Sequence, residues 1–256
     1  MGDKSAIQWT DATWNPSTGC SKVSPGCRNC YAERLSLRLK RMGNPKYKSG
    51  FSFTLHPDAL DVPLKWKKPR KIFVNSMSDL FHESMPDDYL LKCFEIMEKA
   101  DWHIYQVLTK RPERMLAFTK KYGKVSDHIW LGTSVELDLY KKRIDILRKV
   151  PCRIRFVSFE PLLGPISEVN LKGISWAIVG GESGPYFRDV KIEWIKEIQE
   201  QCAQQNVAFF FKQWGGKTPT ARGRLLDGKE WNEYPSMPTE GKISVFPVQE
   251  NTHTRI

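Results

Sequence analysis

The sequence predicts an α/β fold built on a parallel sheet, and two observations carry that prediction. Six short, apolar, β-rich runs end abruptly in polar residues: KIFVNSMSD (71–79), HIYQVLTKR (103–111), HIWLGTSVE (128–136), RIRFVSFEP (153–161), SWAIVGGES (175–183) and VAFFFKQWGG (207–216). Helical periodicity fills several of the gaps, and successive runs start roughly 20–30 residues apart, about one βαβ unit. Such alternation implies helices packed outside a parallel sheet, as a complete or partial TIM-type βα barrel or a doubly wound sheet.

Taken in order, a first strand near Thr10–Asn15 brings the total to about seven and feeds the stretch GCSKVSPGCRNCY (19–31). AERLSLRLKRMG (32–43) has apolar residues at helical spacing and stops at Gly43. The turn-rich segment that follows reads as a long surface connection with a short strand at Phe51–Leu55. PDDYLLKCFEIMEKA (86–100), DLYKKRIDILRKV (138–150) and KIEWIKEIQEQCAQQ (191–205) are amphipathic helices. Past Trp214 the rhythm ends. Residues 1–216 are therefore expected to form the barrel domain. Residues 217–256 form a small extension, with a β-hairpin around Asp227-Gly228 and then a short strand and tail in EGKISVFPVQENTHTRI (240–256).

The cysteines point to chemistry. Cys20, Cys27 and Cys30 fall within eleven residues, separated by polar and turn-forming residues that place them on a loop. Thiolates gathered this way suit zinc, copper(I) or an iron–sulfur cluster, with a reactive thiol cluster as the other reading. A structural zinc site needs a fourth ligand, for which His56 and His82 are the candidates. Three cysteines instead leave one iron of a cluster open to a small molecule. Cys93, Cys152 and Cys202 lie in apolar or helical surroundings and read as packing residues.

The strand rhythm locates a site, because parallel α/β folds bind ligands at the carboxyl ends of their strands. The residues there are Asn75, Ser76, Ser78 and Asp79; Thr109 and Lys110; Ser134 and Glu136; Ser158 and Glu160; Gly180, Gly181 and Glu182; and Lys212, Gln213 and Trp214. On parallel strands these groups and the cysteines converge on one mouth. His103 and His128 stand at strand beginnings, where a structural role is expected.

The formal charge is +11, with basic residues concentrated in 65–71, 109–124 and 141–149. Solvated helix faces and attraction to a polyanion such as nucleic acid are the two readings. There is no apolar run approaching a membrane span, and MGDKSAIQW lacks a signal-peptide core. Clustered thiols then predict a reducing, cytoplasmic setting.

WNPSTGCSKVSPGCRNCYAERL, VNSMSDLFHESMP, VLTKRPERM, SFEPLLGP, VGGESG and FKQWGG together resemble a phage-associated three-cysteine family of unknown function, over nearly the whole chain. More distantly, GCRNCYAERL, VNSMSDLFHES and VLTKR are similar to the spore photoproduct lyase branch of radical S-adenosylmethionine (SAM) enzymes. That resemblance implies a radical-SAM-like partial barrel whose Cys20, Cys27 and Cys30 hold three irons of a [4Fe–4S] cluster. The fourth iron would take SAM, contacted by Asn75, Ser76, Ser78 and Asp79, with Thr109 lining the next strand end. Lys110, Glu136, Glu160, Glu182 and Lys212 are the candidate catalytic groups, and an electron-donor protein and a nucleic acid or nucleotide substrate are the implied partners. The spacing C-x6-C-x2-C departs from the family's C-x3-C-x2-C, and the usual Gly-Gly-Glu after the second strand is absent. The alternative function is a zinc-stabilised phage protein that binds nucleic acid without catalysis.

Overall fold

A computed structural model of the chain describes residues 5–123 and 125–236. Strand β1 (Ala12–Trp14) leads through a short β2 (Ser17–Thr18) and the cysteine loop into helix α1 (Tyr31–Arg41). Strand β3 (Thr54–Leu55), shorter than the expected 51–55, pairs antiparallel with β2. One helical turn, α2 (Val62–Lys65), precedes β4 (Lys71–Val74). From there strand and helix alternate: α3 (Asp87–Lys99), β5 (Ile104–Thr109), α4 (Pro112–Tyr122), β6 (Ile129–Ser134), α5 (Lys142–Arg148), β7 (Arg155–Phe159), β8 (Trp176–Gly180), α6 (Ile192–Gln204) and β9 (Ala208–Gln213). Seven strands form one all-parallel sheet in the order β1-β4-β5-β6-β7-β8-β9. It follows chain order and curls without pairing β9 to β1, a partial TIM-type barrel.

The helices form for ordinary reasons. Helix α3 opens with Asp87 and Asp88 beside its positive N-terminal dipole, closes with Lys99, and buries Leu90, Cys93, Phe94 and Met97 along one face. Helix α6 buries Ile195, Ile198 and Cys202 in the same way. Helix α5 is shorter than 138–150, because 138–140 form a 3₁₀ turn first. Helix α4 lies inside the 109–124 segment that charge alone had marked. Pro112 sits in its first turn, and its buried side is only Pro112, Met115 and Thr119, too sparse a stripe to stand out.

Alternation along the strands separates two cores. Ile72, Tyr105, Leu131, Val157, Ala177 and Phe211 face the helices. Phe73, Trp130, Phe156, Trp176, Ile178 and Phe210 face inward. The curl is visible in Trp9, whose ring meets both Phe73 on β4 (centroids 4.7 Å) and Trp176 on β8 (6.0 Å). Aromatic rings thus plug the barrel at the strands' amino ends. A Cβ at Gly132 would fall 2.6 Å from the buried Phe156 ring, so glycine is required beside that aromatic layer.

The extension is a seam on the barrel. Around Asp227-Gly228 the expected hairpin reduces to one bridge, Leu226 to Lys229. The chain then runs antiparallel along β9: Phe211 N donates to Trp231 O (3.0 Å) and Glu233 N to Phe209 O (3.2 Å). Leu226 is fully buried, and Tyr234 packs against Trp176 and Phe210. The strand expected in 240–256 lies outside the described residues. No helix among the described residues is long and apolar enough to cross a membrane.

Candidate functional site

The cysteine loop is held at its start by two backbone hydrogen bonds. Gly19, at φ +82°, donates its N–H to Met77 O (2.9 Å), and Cys20 N donates to Phe51 O (3.2 Å). A tight 3₁₀ turn at Pro25–Cys27 follows, and Cys30 immediately precedes α1. All three thiols are free, half-buried, and line one cavity of about 470 Å³ at the carboxyl ends of the strands. That volume suits a bound small molecule.

The strand ends supply the opposite wall, and the structure brings most of the expected residues to it: Asn75, Ser76, Ser78 and Asp79 after β4, Thr109 and Lys110 after β5, Glu160 after β7, Glu182 after β8, and Lys212 on β9. Their states differ. Asp79 is saturated: Thr109 Oγ1 donates to both carboxylate oxygens (2.7 and 2.9 Å), and Phe81 N (2.9 Å), Lys110 N (3.2 Å) and Arg111 Nη1 (3.2 Å) complete it. Ser78 shares a hydrogen bond with Ser17 (2.8 Å), and Ser76 with Asn15. Asn75 has φ +59°, a left-handed conformation that asparagine tolerates better than most residues. Its Nδ2 donates to Ser17 Oγ (2.9 Å), and its buried Oδ1 has no partner among the described residues. Glu160 and Lys212 form an ion pair within the cavity wall. The Lys110 ammonium makes no hydrogen bond or ion pair among the described residues and acts electrostatically on Cys30.

Two candidate carboxylates are already engaged by neighbouring residues. Glu136 is fully buried, outside the cavity lining, and paired with Arg143 (3.0 Å) while accepting from Gly26 N (3.3 Å). Glu182 touches the cavity but is clasped by Arg188 and Asn29. Its burial would raise its pKa, and the hydrogen bonds from Arg188 and Asn29 outweigh that, holding it below the ordinary 4.5.

Arg111 is the principal site residue that sequence reasoning missed. Besides Asp79, it donates to Cys20 Sγ (3.5 Å), Ser21 O (3.2 Å) and Ser21 Oγ (2.7 Å). Its only signal was the adjacent Thr-Lys pair. Ser17 and Asn15, which brace Ser78, Ser76 and Asn75, gave none.

As a free thiol, Cys20 is pushed up to about 11 by burial first and the nearby Asp79 charge second, against the pull of Arg111. Burial raises Cys30 too. Uncoordinated, these two thiols are held toward the protonated form; a bound cation would reverse the balance. For zinc, neither candidate histidine lines the cavity of the three thiols, and His56 lines a separate pocket. His56 Nε2 is bonded to Thr18 (2.8 Å), and both ring nitrogens of His82 are engaged, by Ser21 and Ser84 N. Among the described residues no three His, Cys, Asp or Glu groups are gathered around a point that could hold one metal ion. The three thiols of the loop share their cavity with the Asn75 side chain and the Lys110 ammonium.

His103 and His128 are buried at the other end of the sheet, bonded to Pro63 O (3.1 Å) and Met97 O (3.0 Å). Burial is the main cause that lowers the pKa of His56, His82 and His103. A lowered folded value means that the unfolded chain takes up the proton first. Stability from these rings is full above about 6.5 and is lost as pH falls through their folded values. We expect the urea midpoint to fall between pH 7.5 and 5.5; an unchanged midpoint would contradict neutral burial.

The basic runs are spread around the molecule. Residues 65–71 lead into β4, at the end of the sheet away from the cavity, and of 109–124 only the first residues enter it.

A profile for a family described as "Protein of unknown function (DUF5131)" matches residues 4–235. No curated protein matches. Among solved structures, a doubly substituted spore photoproduct lyase with bound S-adenosylmethionine and dinucleoside spore photoproduct is similar at 14% identity and TM-score 0.42, over 78% of this chain and 54% of that one. Spore photoproduct lyase complexed with dinucleoside spore photoproduct is similar at 11% identity and TM-score 0.40, over 75% and 60%. The chain thus spans somewhat over half the length of these two proteins.

Proposed function

The chain belongs to the DUF5131 family of unknown function, and from its cavity we propose an iron–sulfur enzyme of radical-SAM type acting on a nucleic acid or nucleotide. The observation that carries the proposal is the shared cavity, with three thiols of one loop on one wall and a polar set of parallel strand ends on the other. Cys20, Cys27 and Cys30 would hold a [4Fe–4S] cluster, in a cavity that Asn75, Ser76 and Lys110 also line. When bound, the cluster and SAM would supply one-electron radical chemistry, for which an electron-donor protein is the implied partner.

The chain's own residues have distinct tasks in this reading. Arg111 donates to Cys20 and offsets thiolate charge there, while the Lys110 ammonium does so electrostatically at Cys30. Asn75 Oδ1, buried without a donor among the described residues, would accept one from a bound group that reached it. Glu160 and Lys212, paired at the cavity wall, would present a carboxylate and an ammonium to a bound substrate. The aromatic layer of Trp9, Phe73 and Trp176 closes the far end of the barrel and keeps water from entering there. The nucleic-acid part rests on the net charge of +11.

The test is anaerobic purification with iron, sulfide and zinc analysis of the wild type and Cys27→Ala. About four irons and four sulfides per chain, with absorbance near 400 nm, are expected for the wild type and a loss of both for the variant. Stoichiometric zinc without sulfide would sink the proposal in favour of a non-catalytic zinc-stabilised binder.

A further inference from the structure

We propose that Glu136 and Glu182 are positioning residues, forming a two-point clamp that holds the Cys27–Cys30 half of the loop in its ligating shape before any cofactor arrives. The significance of the clamp rests on the loop being a cofactor loop; its existence does not.

Each carboxylate is first fixed by an arginine from its own side of the barrel. Arg143 Nη1, from α5, donates to Glu136 Oε2 (3.0 Å) and to Ser134 O (2.9 Å), and its guanidinium lies over the Tyr140 ring at 4.4 Å. The other Glu136 oxygen accepts from Gly26 N (3.3 Å). Arg188 wraps Glu182 through its backbone N (2.8 Å), Nε (2.9 Å) and Nη2 (2.5 Å). Glu182 Oε2 then accepts from Asn29 Nδ2 (3.0 Å), Asn29 Nδ2 also donates to Tyr186 O (2.6 Å), and Arg188 Nη2 reaches Pro25 O (3.1 Å).

The strap from 182 to 188 is seated independently. Arg34 of α1 donates to Ser183 O (3.0 Å), and a Cβ at Gly184 would lie 1.8 Å from the Arg34 guanidinium. Pro25, Gly26 and Asn29 are thereby tied to β6 and β8. Cys20 is held from elsewhere, by Phe51 O and Arg111. Each buried carboxylate is already compensated by its own guanidinium, so it can accept from the loop without presenting an unpaired charge to the thiols.

The experiment uses the reduced, metal-free full chain and timed iodoacetamide labelling read by mass spectrometry, cysteine by cysteine. Asn29→Ala removes the loop's donor and leaves the Glu182–Arg188 pair intact; Glu182→Gln weakens the anchor itself. Labelling of Cys27 and Cys30 is expected to rise about tenfold in each variant through local opening. Cys20 should stay within about twofold, and buried Cys93, Cys152 and Cys202 should stay protected. Unchanged labelling of Cys27 and Cys30 in Asn29→Ala, or an equal rise at Cys20, would overturn the clamp. Because no metal is present, this result is independent of the iron and sulfide analysis. If the chain binds a cluster, Asn29→Ala should also lose iron faster than wild type at an unchanged unfolding midpoint.

Discussion

Asp79→Ala is expected to destabilise the chain by about 3–5 kcal/mol, the range for breaking a buried ion pair from one side. Asp79 and Arg111 are 9% and 11% exposed at their side chains, so solvent replaces the lost partner only in part. The Thr109 hydroxyl and the N–H groups of Phe81 and Lys110 would lose their acceptor at the same time. Asp79→Asn retains an acceptor but loses the charge, and should fall between wild type and alanine. Urea unfolding of the metal-free chains checks this; an alanine variant within about 1 kcal/mol of wild type would refute the assigned network. Asp79 thus orders the floor of the site and aims Arg111 at Cys20.

Gly19→Ala should be comparably severe for a different reason. The residue sits at φ +82°, and a Cβ there would lie 2.2 Å from the Ser52 carbonyl oxygen. That neighbour is backbone and cannot rotate away. Left-handed strain and overpacking together predict a loss of about 2–6 kcal/mol. The backbone would have to separate where Gly19 and Cys20 are hydrogen-bonded to Met77 and Phe51, so if the loop holds the proposed cluster, its retention should fall as well. Thermal unfolding alongside iron content measures both, and a variant with wild-type values in each would contradict the close approach.

Much of the architecture was legible because parallel strands buried on both faces write themselves as apolar runs, and their polar ends mark the ligand side. The three cysteines were legible by type and crowding alone. Partners were a different matter. Glu136 and Glu182 stood in the right repeated position, yet what they hold lies 110 and 153 residues away in the chain, at Gly26 and Asn29. Position after a strand reveals that a carboxylate is near the mouth; it does not reveal that an arginine and a loop amide already occupy it. Arg111 was hidden for a related reason: in a run of basic residues, nothing in sequence distinguishes the one guanidinium that turns inward. Helix α4 was obscured because Met115 and Thr119, with Pro112, are nearly all it buries.

The strip at 231–233 bears on how this chain can be handled. Strand β9 ends the seven-stranded sheet, and without that strip its outer row of N–H and C=O groups would lie open. An open row of this kind recruits strands from other molecules. The point at which the βα rhythm stops is therefore a poor place to cut: a chain shortened to residue 216 would carry an adhesive margin and would lose Leu226 from its core. Self-association of such a fragment would measure how far the extension serves as a selvedge, the woven border that keeps the sheet from fraying into its neighbours.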